Sequence, residues 1–128
     1  MLVRAMTDKD IPEVMNMLKQ EGEYTGCSMV NIANTFICED DEGIIGLFVM
    51  KIEQNLPSLR FFIVKRERRS VKVSRSLIKA YRNFVRNMGF THSLITVKKD
   101  YLKNVVEYYF RKKPYAVKDG ISFYLVGV

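Results

Sequence analysis

The sequence predicts an α/β domain in which helices cover a central, partly antiparallel sheet. Three observations carry this reading. Short runs rich in β-formers alternate with segments of helical apolar spacing, in the order β-α-(α)-β-β-β-α-β-α-β. Within that order, Thr35–Glu39 and Ile44–Ile52 flank the acidic turn Asp40-Asp41-Glu42-Gly43, as a hairpin requires. Finally, Leu77, Ile78, Tyr81, Phe84, Val85 and Met88 recur at helical spacing and form one apolar face, with Lys79, Arg82 and Arg86 largely off it.

Each element has its own local reason. Leu2–Met6 reads as the first strand. Thr7 or Asp8 caps a helix from about Asp10 to Gln20, and Pro12 is tolerated in a first turn. Ile11, Val14, Met15 and Leu18 supply that helix with an apolar face. Gly22 and Gly26 punctuate a loop reaching about Asn34, with room for a short second helix. After the hairpin, Asn55 and Pro57 mark a turn, and Leu59–Val64 is the fourth strand. The long helix runs from about Val71 to Met88 and stops at Gly89, a residue suited to a helix C-terminus. Ser93–Val97 is a fifth strand. Tyr101, Leu102, Val105, Val106, Tyr109 and Phe110 fit a last amphipathic helix ended by Pro114, and Ile121–Val126 is the final strand. No repeat, linker or low-complexity tract interrupts this order, so residues 1–128 are expected to form a single domain.

Composition narrows the function classes. An apolar content of 48% in 128 residues is ordinary for a globular chain and argues against disorder. The longest apolar run, Ile44–Met50, falls far short of the ~20 residues a membrane span needs. The opening MLVRAMTDKD lacks the long apolar core of a signal peptide, so a cytoplasmic location is the expectation. Cys27 and Cys38, the two cysteines, read as free thiols, with Cys38 packing in a strand. The net charge of +7 and pI near 9.5 suit an anionic partner: a CoA-like cofactor, a nucleic acid or an acidic protein surface.

The basic residues concentrate between the fourth strand and the long helix. Lys65, Arg66, Arg68, Arg69, Lys72 and Arg75 lie there, ahead of a helix N-terminus with unpaired N–H groups and partial positive charge. That combination is suited to a phosphate. The segment Arg69-Ser70-Val71-Lys72-Val73-Ser74 resembles the acyl-CoA loop of the GNAT superfamily of N-acyltransferases, roughly Gln/Arg-x-x-Gly-x-Gly/Ala between a strand and a helix. Lys72 stands at the first glycine of that pattern and Ser74 at the Gly/Ala. Lys72 adds a side chain where backbone amides would approach a pyrophosphate, but also a positive charge. The opening Leu2–Ile11, the hairpin with Ile44-Ile45-Gly46 and the overall element order resemble the same family, so the likeness spans nearly the whole chain.

The resemblance implies a GNAT-like fold, a mixed and mostly antiparallel sheet flanked by helices, and an N-acetyltransferase that moves an acetyl group from acetyl-CoA to the amine of an acceptor. It implies cofactor contacts from the backbone of Phe62, Ile63 and Val64 and from Arg69, Ser70, Val71, Lys72, Val73 and Ser74. The family's motif on the last helix places a tyrosine that protonates the departing thiolate. Matched on Pro114-Tyr115, that position holds Phe110, which cannot donate a proton, with Lys103 at the motif's asparagine. Tyr109 beside it is the catalytic candidate, and Tyr108 its neighbour. Glu53 and Glu67 are the carboxylates considered as a base, and His92 reads as a surface residue. Two other classes fit the same residues. One is a GNAT-fold protein, of phage type, that has lost catalysis and works by binding. The other is a basic nucleic-acid-associated modifier, motivated by the stripe from Lys65 to Arg86. The sequence carries nothing on oligomeric state.

Overall fold

The structure is a computed structural model and describes residues 1–98 and 100–128, apart from the side chains of Thr25 and Tyr101. The Tyr101 side chain, counted above on the apolar face of the last helix, therefore lies outside the described residues.

Among the described residues the chain forms seven strands: β1 (Leu2–Ala5), β2 (Thr35–Asp40), β3 (Gly43–Glu53), β4 (Leu56–Val64), β5 (His92–Val97), β6 (Ala116–Lys118) and β7 (Ile121–Gly127). Three helices accompany them: α1 (Ile11–Gln20), α2 (Val71–Asn87) and α3 (Asp100–Phe110). The strands form one sheet in the order β1-β2-β3-β4-β5-β7-β6. Every neighbouring pair is antiparallel except β4 and β5. The expected mixed, mostly antiparallel sheet flanked by helices is thus the observed one.

The two faces of the sheet have separate cores. On one, α1 buries Val14, Met17 and Leu18 against Ile37, Leu47, Val49, Phe61 and Ile63. On the other, α2 buries Val73, Leu77, Ile78, Tyr81 and Val85, and α3 adds Leu102 and Val106, over Phe48, Phe62, Val64, Ile95, Tyr124 and Val126. Cys38 is fully buried there, and burial pushes its thiol pKa up. Helix α2 comes so close to β3 that a Cβ on Gly46 would stand 2.9 Å from Leu77 Cδ1 and 3.1 Å from the Ile63 carbonyl oxygen. The absence of a side chain at Gly46 therefore sets the depth to which α2 sinks onto the sheet.

Several boundaries differ from the sequence reading. The turn before β4 is tighter than expected, with Gln54 and Asn55 both at positive φ, so Pro57 lies in the strand opposite Ile52. Pro57 keeps its carbonyl for the ladder and lacks only the N–H, which an early strand position tolerates. The expected start of α1 is a 3-10 turn at Asp8–Asp10, where the Asp10 carboxylate accepts from the Thr7 N–H at 2.8 Å. The short helix allowed for in the following loop is another 3-10 turn, Tyr24–Ser28. Helix α3 ends earlier than Pro114, at Phe110, because Arg111 adopts positive φ. Strand β6 was not predicted: its three residues are all exposed and carry no alternation, and pairing with β7 alone defines it.

Because the close approach at Gly46 leaves no room for a methyl group, Gly46→Ala is expected to cost about 1–3 kcal/mol of stability. Urea denaturation measures this. An unchanged midpoint and slope would mean that α2 can ride up without loss.

Candidate functional site

Strands β4 and β5 share only two residue pairs, Ser58 with Leu94 and Leu59 with Ile95. Beyond them β4 continues to Val64 beside β3, and β5 continues to Val97 beside β7, so the two strands part. The cause lies in β4. Met50 faces Leu59 while Val49 faces Phe61, which leaves Arg60 as an extra, bulged residue directly after the last shared pair. A bulge bends its strand and raises its twist, which takes β4 away from β5.

The register also fixes where the backbone points. The Lys65 N–H donates to the Ile45 carbonyl at 2.8 Å, so Lys65, Ile63 and Phe61 turn their N–H and C=O groups toward β3. Phe62 and Val64 turn theirs the other way, toward the gap. The Val64 carbonyl accepts from Arg69 Nε at 3.2 Å. Of the three β4 residues named from the sequence, Phe62 therefore presents its peptide groups to the cleft, Val64 shares its carbonyl with Arg69, and the peptide groups of Ile63 serve the β3 ladder.

The cleft is lined by Arg60, Phe61, Phe62 and Ile63 from β4, Thr96 and Val97 from β5, Lys98, Leu102, and two carboxylates that sequence reasoning missed, Glu21 and Glu23. Their approach follows from the end of α1. Gly22, at φ +74°, reverses the chain, with its N–H on the Lys19 carbonyl and the Glu23 N–H on the Leu18 carbonyl. These two bonds form a Schellman cap, which aims the next residue back at the sheet. Glu23 is buried, and Lys98 Nζ donates to its Oε2 at 3.2 Å. Glu21 receives Arg69 Nη2 at 3.2 and 3.3 Å. The only sequence signal for this arrangement was the pair of glutamates flanking a glycine after an amphipathic helix.

Beside the cleft stands the N-terminus of the 17-residue α2. Ser70 is its N-cap, and its hydroxyl accepts from the Val73 N–H at 3.1 Å. The first-turn N–H groups of Val71 and Lys72 have no partner within the helix by geometry. Val73 and Ser74 are buried in the base of the helix, whereas Val71, Lys72 and Arg75 are exposed. The loop cations divide into two sets. Arg68 pairs with Asp40 at 3.2 Å and with Glu42, Arg69 with Glu21, and Lys65 with Glu67 at 3.8 Å. Arg66, Lys72 and Arg75 have no carboxylate partner among the described residues. Positive charge for an anion at this helix end therefore comes from Lys72, Arg75 and the peptide N–H groups, and the Arg69 guanidinium is spent on Glu21 and Val64.

Between α2 and α3 runs a groove of about 540 Å³ lined by Val71, Arg75, Asn104, Val105, Tyr108 and Tyr109. Tyr109 is half-buried there, with the Arg82 guanidinium 5.9 Å from its ring centroid and Phe110 edge-on at 5.0 Å. It lines this groove and does not line the β4–β5 cleft. Tyr108 is more open, at 76% exposure. The other sequence candidates lie elsewhere. Glu53 pairs with Arg60 at the far side of the cleft, Lys103 with Asp100 at 3.8 Å, and His92 is exposed beside Thr91.

A further phenol does sit near the cleft. Tyr124 stands on β7 opposite Ile95, and its hydroxyl donates to Glu107 Oε2 at 2.7 Å, while Lys113 Nζ donates to Oε1 at 3.0 Å. Burial first, and then the Glu107 carboxylate, push the Tyr124 hydroxyl up to about 12. The same bond, with Lys113, holds Glu107 below the usual carboxylate value. Among the described residues, no helix is long and apolar enough to cross a membrane.

No protein-family model and no curated protein sequence matches the chain. Solved structures do. An aminoglycoside 6'-acetyltransferase of type Ii superposes with a TM-score of 0.79 at 14% identity, over 98% of this chain and 95% of that one. The PaiA N-acetyltransferase of Thermoplasma acidophilum, in complex with coenzyme A, gives 0.75 at 12% identity, over 99% and 98%. A GNAT-family acetyltransferase of Listeria monocytogenes gives 0.71 at 12% identity, over 99% and 94%. The fold is therefore the GNAT fold, as the resemblance of the loop and of the element order implied.

The Tyr124–Glu107 bond has a consequence in alkali. The fold favours the neutral phenol, so its contribution to stability is whole below the ordinary phenol value of about 10. That contribution is lost as pH rises through about 12. Site-labelled tyrosine NMR should show Tyr124 titrating above the ordinary phenol value, and Glu107→Gln should lower its midpoint. An unchanged midpoint in that variant would remove Glu107 as a cause.

Proposed function

We propose that this chain is an N-acyltransferase that moves an acetyl group from acetyl-CoA to the amine of an acceptor. The observation that carries the proposal is the parting of β4 and β5 after Leu59 and Ile95, beside the N-terminus of α2. A thioester arm laid in that gap would complete the hydrogen-bonding edge that β4 loses when β5 leaves it. The phosphates would then fall at the first turn of α2, near Lys72 and Arg75, where N–H groups and helix dipole favour an anion. The GNAT fold supports the reading, and so does the coenzyme A complex of one structural neighbour.

The chemistry assigns few roles. The amine nitrogen attacks the thioester carbonyl carbon, a C–N bond forms, and the C–S bond breaks with its electron pair leaving on sulfur. The Phe62 N–H is the donor proposed to polarise the carbonyl oxygen. Glu23, buried at the cleft and held by Lys98, is the carboxylate proposed to take the amine proton. Among the described side chains the cleft itself offers no phenol to the thiolate, and Tyr109, proposed from the sequence for that step, stands in the adjoining groove. A second reading, binding without turnover, has two observations in its favour. The Arg69 guanidinium is committed to Glu21, and Lys72 stands where a glycine would let an anion closer.

Calorimetry with purified, CoA-free protein tests the cofactor half of the proposal, and turnover with an acceptor separates it from the second reading. Acetyl-CoA is expected to bind in the micromolar range. Lys72→Glu should weaken it by about tenfold or more, the scale of one charge-assisted contact. Absence of binding at millimolar acetyl-CoA would end the proposal. Once an acceptor is in hand, Glu23→Gln should lower kcat/KM by about 10²–10⁴, with acetyl-CoA affinity retained. An unaltered kcat/KM would take the base role from Glu23.

A further inference from the structure

The α1 face of the sheet is covered only in part. Beyond α1, the side chains of Leu94 on β5 and of Ile121 and Phe123 on β7 are half-buried and stand with Phe61 along a groove of about 430 Å³. Its outer wall is Tyr115, 65% exposed, with its ring 6.4 Å from that of Phe123. Tyr115 is not a loose surface aromatic, because its N–H donates to the Phe123 carbonyl at 2.9 Å. The groove shares Arg60, Phe61, Thr96 and Lys98 with the β4–β5 cleft, so it opens directly onto the proposed reacting centre.

Its charges are already balanced. Among the described residues the single carboxylate lining it, Glu53, is ion-paired with Arg60, and the other cation, Lys98, is paired with Glu23. An acceptor amine needs one carboxylate to take its proton, and Glu23 at the inner end supplies it. A second or third ammonium further out would meet aromatic and aliphatic side chains and two fixed cations, with no carboxylate free to offset its desolvation.

We infer that the groove is the acceptor site and that it takes a small monoamine with an aromatic or branched aliphatic body, not a polycationic amine. This rests on the transferase reading given above. The acceptor's body lies along Phe61 and Phe123 under Tyr115, and its nitrogen points into the cleft toward Glu23.

The probes are 2-phenylethylamine and spermidine, each with acetyl-CoA. The kcat/KM for phenylethylamine should exceed that for spermidine by about tenfold or more, because a further ammonium would be desolvated with no carboxylate to offset it. Tyr115→Ala, at an exposed position that the core does not need, should raise the KM for phenylethylamine by about threefold to tenfold while acetyl-CoA affinity stays the same. A preference for spermidine, or a KM indifferent to Tyr115→Ala, would overturn the inference. Saturation-transfer NMR of phenylethylamine with the protein alone keeps the test separate from catalysis. If acetyl-CoA does not bind, the transferase reading fails. Saturable phenylethylamine binding lost in Tyr115→Ala would then still uphold the groove's ligand class, and no binding would overturn it.

Discussion

The bulge at Arg60 is the constraint on which the rest of the site depends. It ends the pairing of β4 with β5 after two residue pairs and turns a continuous sheet into one with an internal gap. The other end of the same strand pair is locked. Buried Tyr81 on α2 makes a 2.5 Å hydrogen bond with Ser93 on β5, and the Ser93 hydroxyl donates to the Pro57 carbonyl on β4 at 3.1 Å. Burial raises the Tyr81 pKa well above the usual phenol value, so this clip stays neutral and hydrogen-bonded across the physiological range. One end is fastened by side chains in the dry core and the other is forced apart by an extra residue. The gap is therefore a fixed feature of the backbone and needs no ligand to form.

Electrostatics then sorts the two mouths of the gap. On the helix side, Lys72 and Arg75 have no carboxylate partner among the described residues at the α2 N-terminus, while Arg68 and Arg69 are consumed in holding the loop to β2 and to the end of α1. On the opposite side, among the described residues, the charged groups lining the groove, Glu53, Arg60 and Lys98, each have a partner, and aromatic and aliphatic side chains share the lining with polar ones. On the proposed reading, an anionic, phosphate-bearing molecule and an amine would have separate entrances to one centre. Glu23 sits between them because the Schellman turn at Gly22 directs it there.

Much of the fold was legible because it rests on local periodicity. The apolar face of α2 and the β2–β3 hairpin follow from residues close in sequence. What was illegible involves distant partners. Nothing near Arg69 announces that its guanidinium will meet Glu21, 48 residues earlier in the chain, or that Lys98 will reach Glu23. The basic loop consequently read as a cradle of free cations, when half of its charge is structural. The bulge at Arg60 leaves no mark in an apolar run such as Leu59–Val64, since a bulge is a property of the pairing and not of the strand. Strand β6 escaped for the same reason.

The central claim is that the peptide groups of Phe62 and the first turn of α2 receive an acyl-CoA together. Amide hydrogen exchange by NMR, with and without acetyl-CoA, tests it most directly, because it reads the backbone itself. The account predicts that the cofactor slows exchange at Phe62 and at the Val71 and Lys72 amides while Ile63, already bonded to β3, is unmoved. Protection spread over the surface lysines, or none at Phe62, would contradict it.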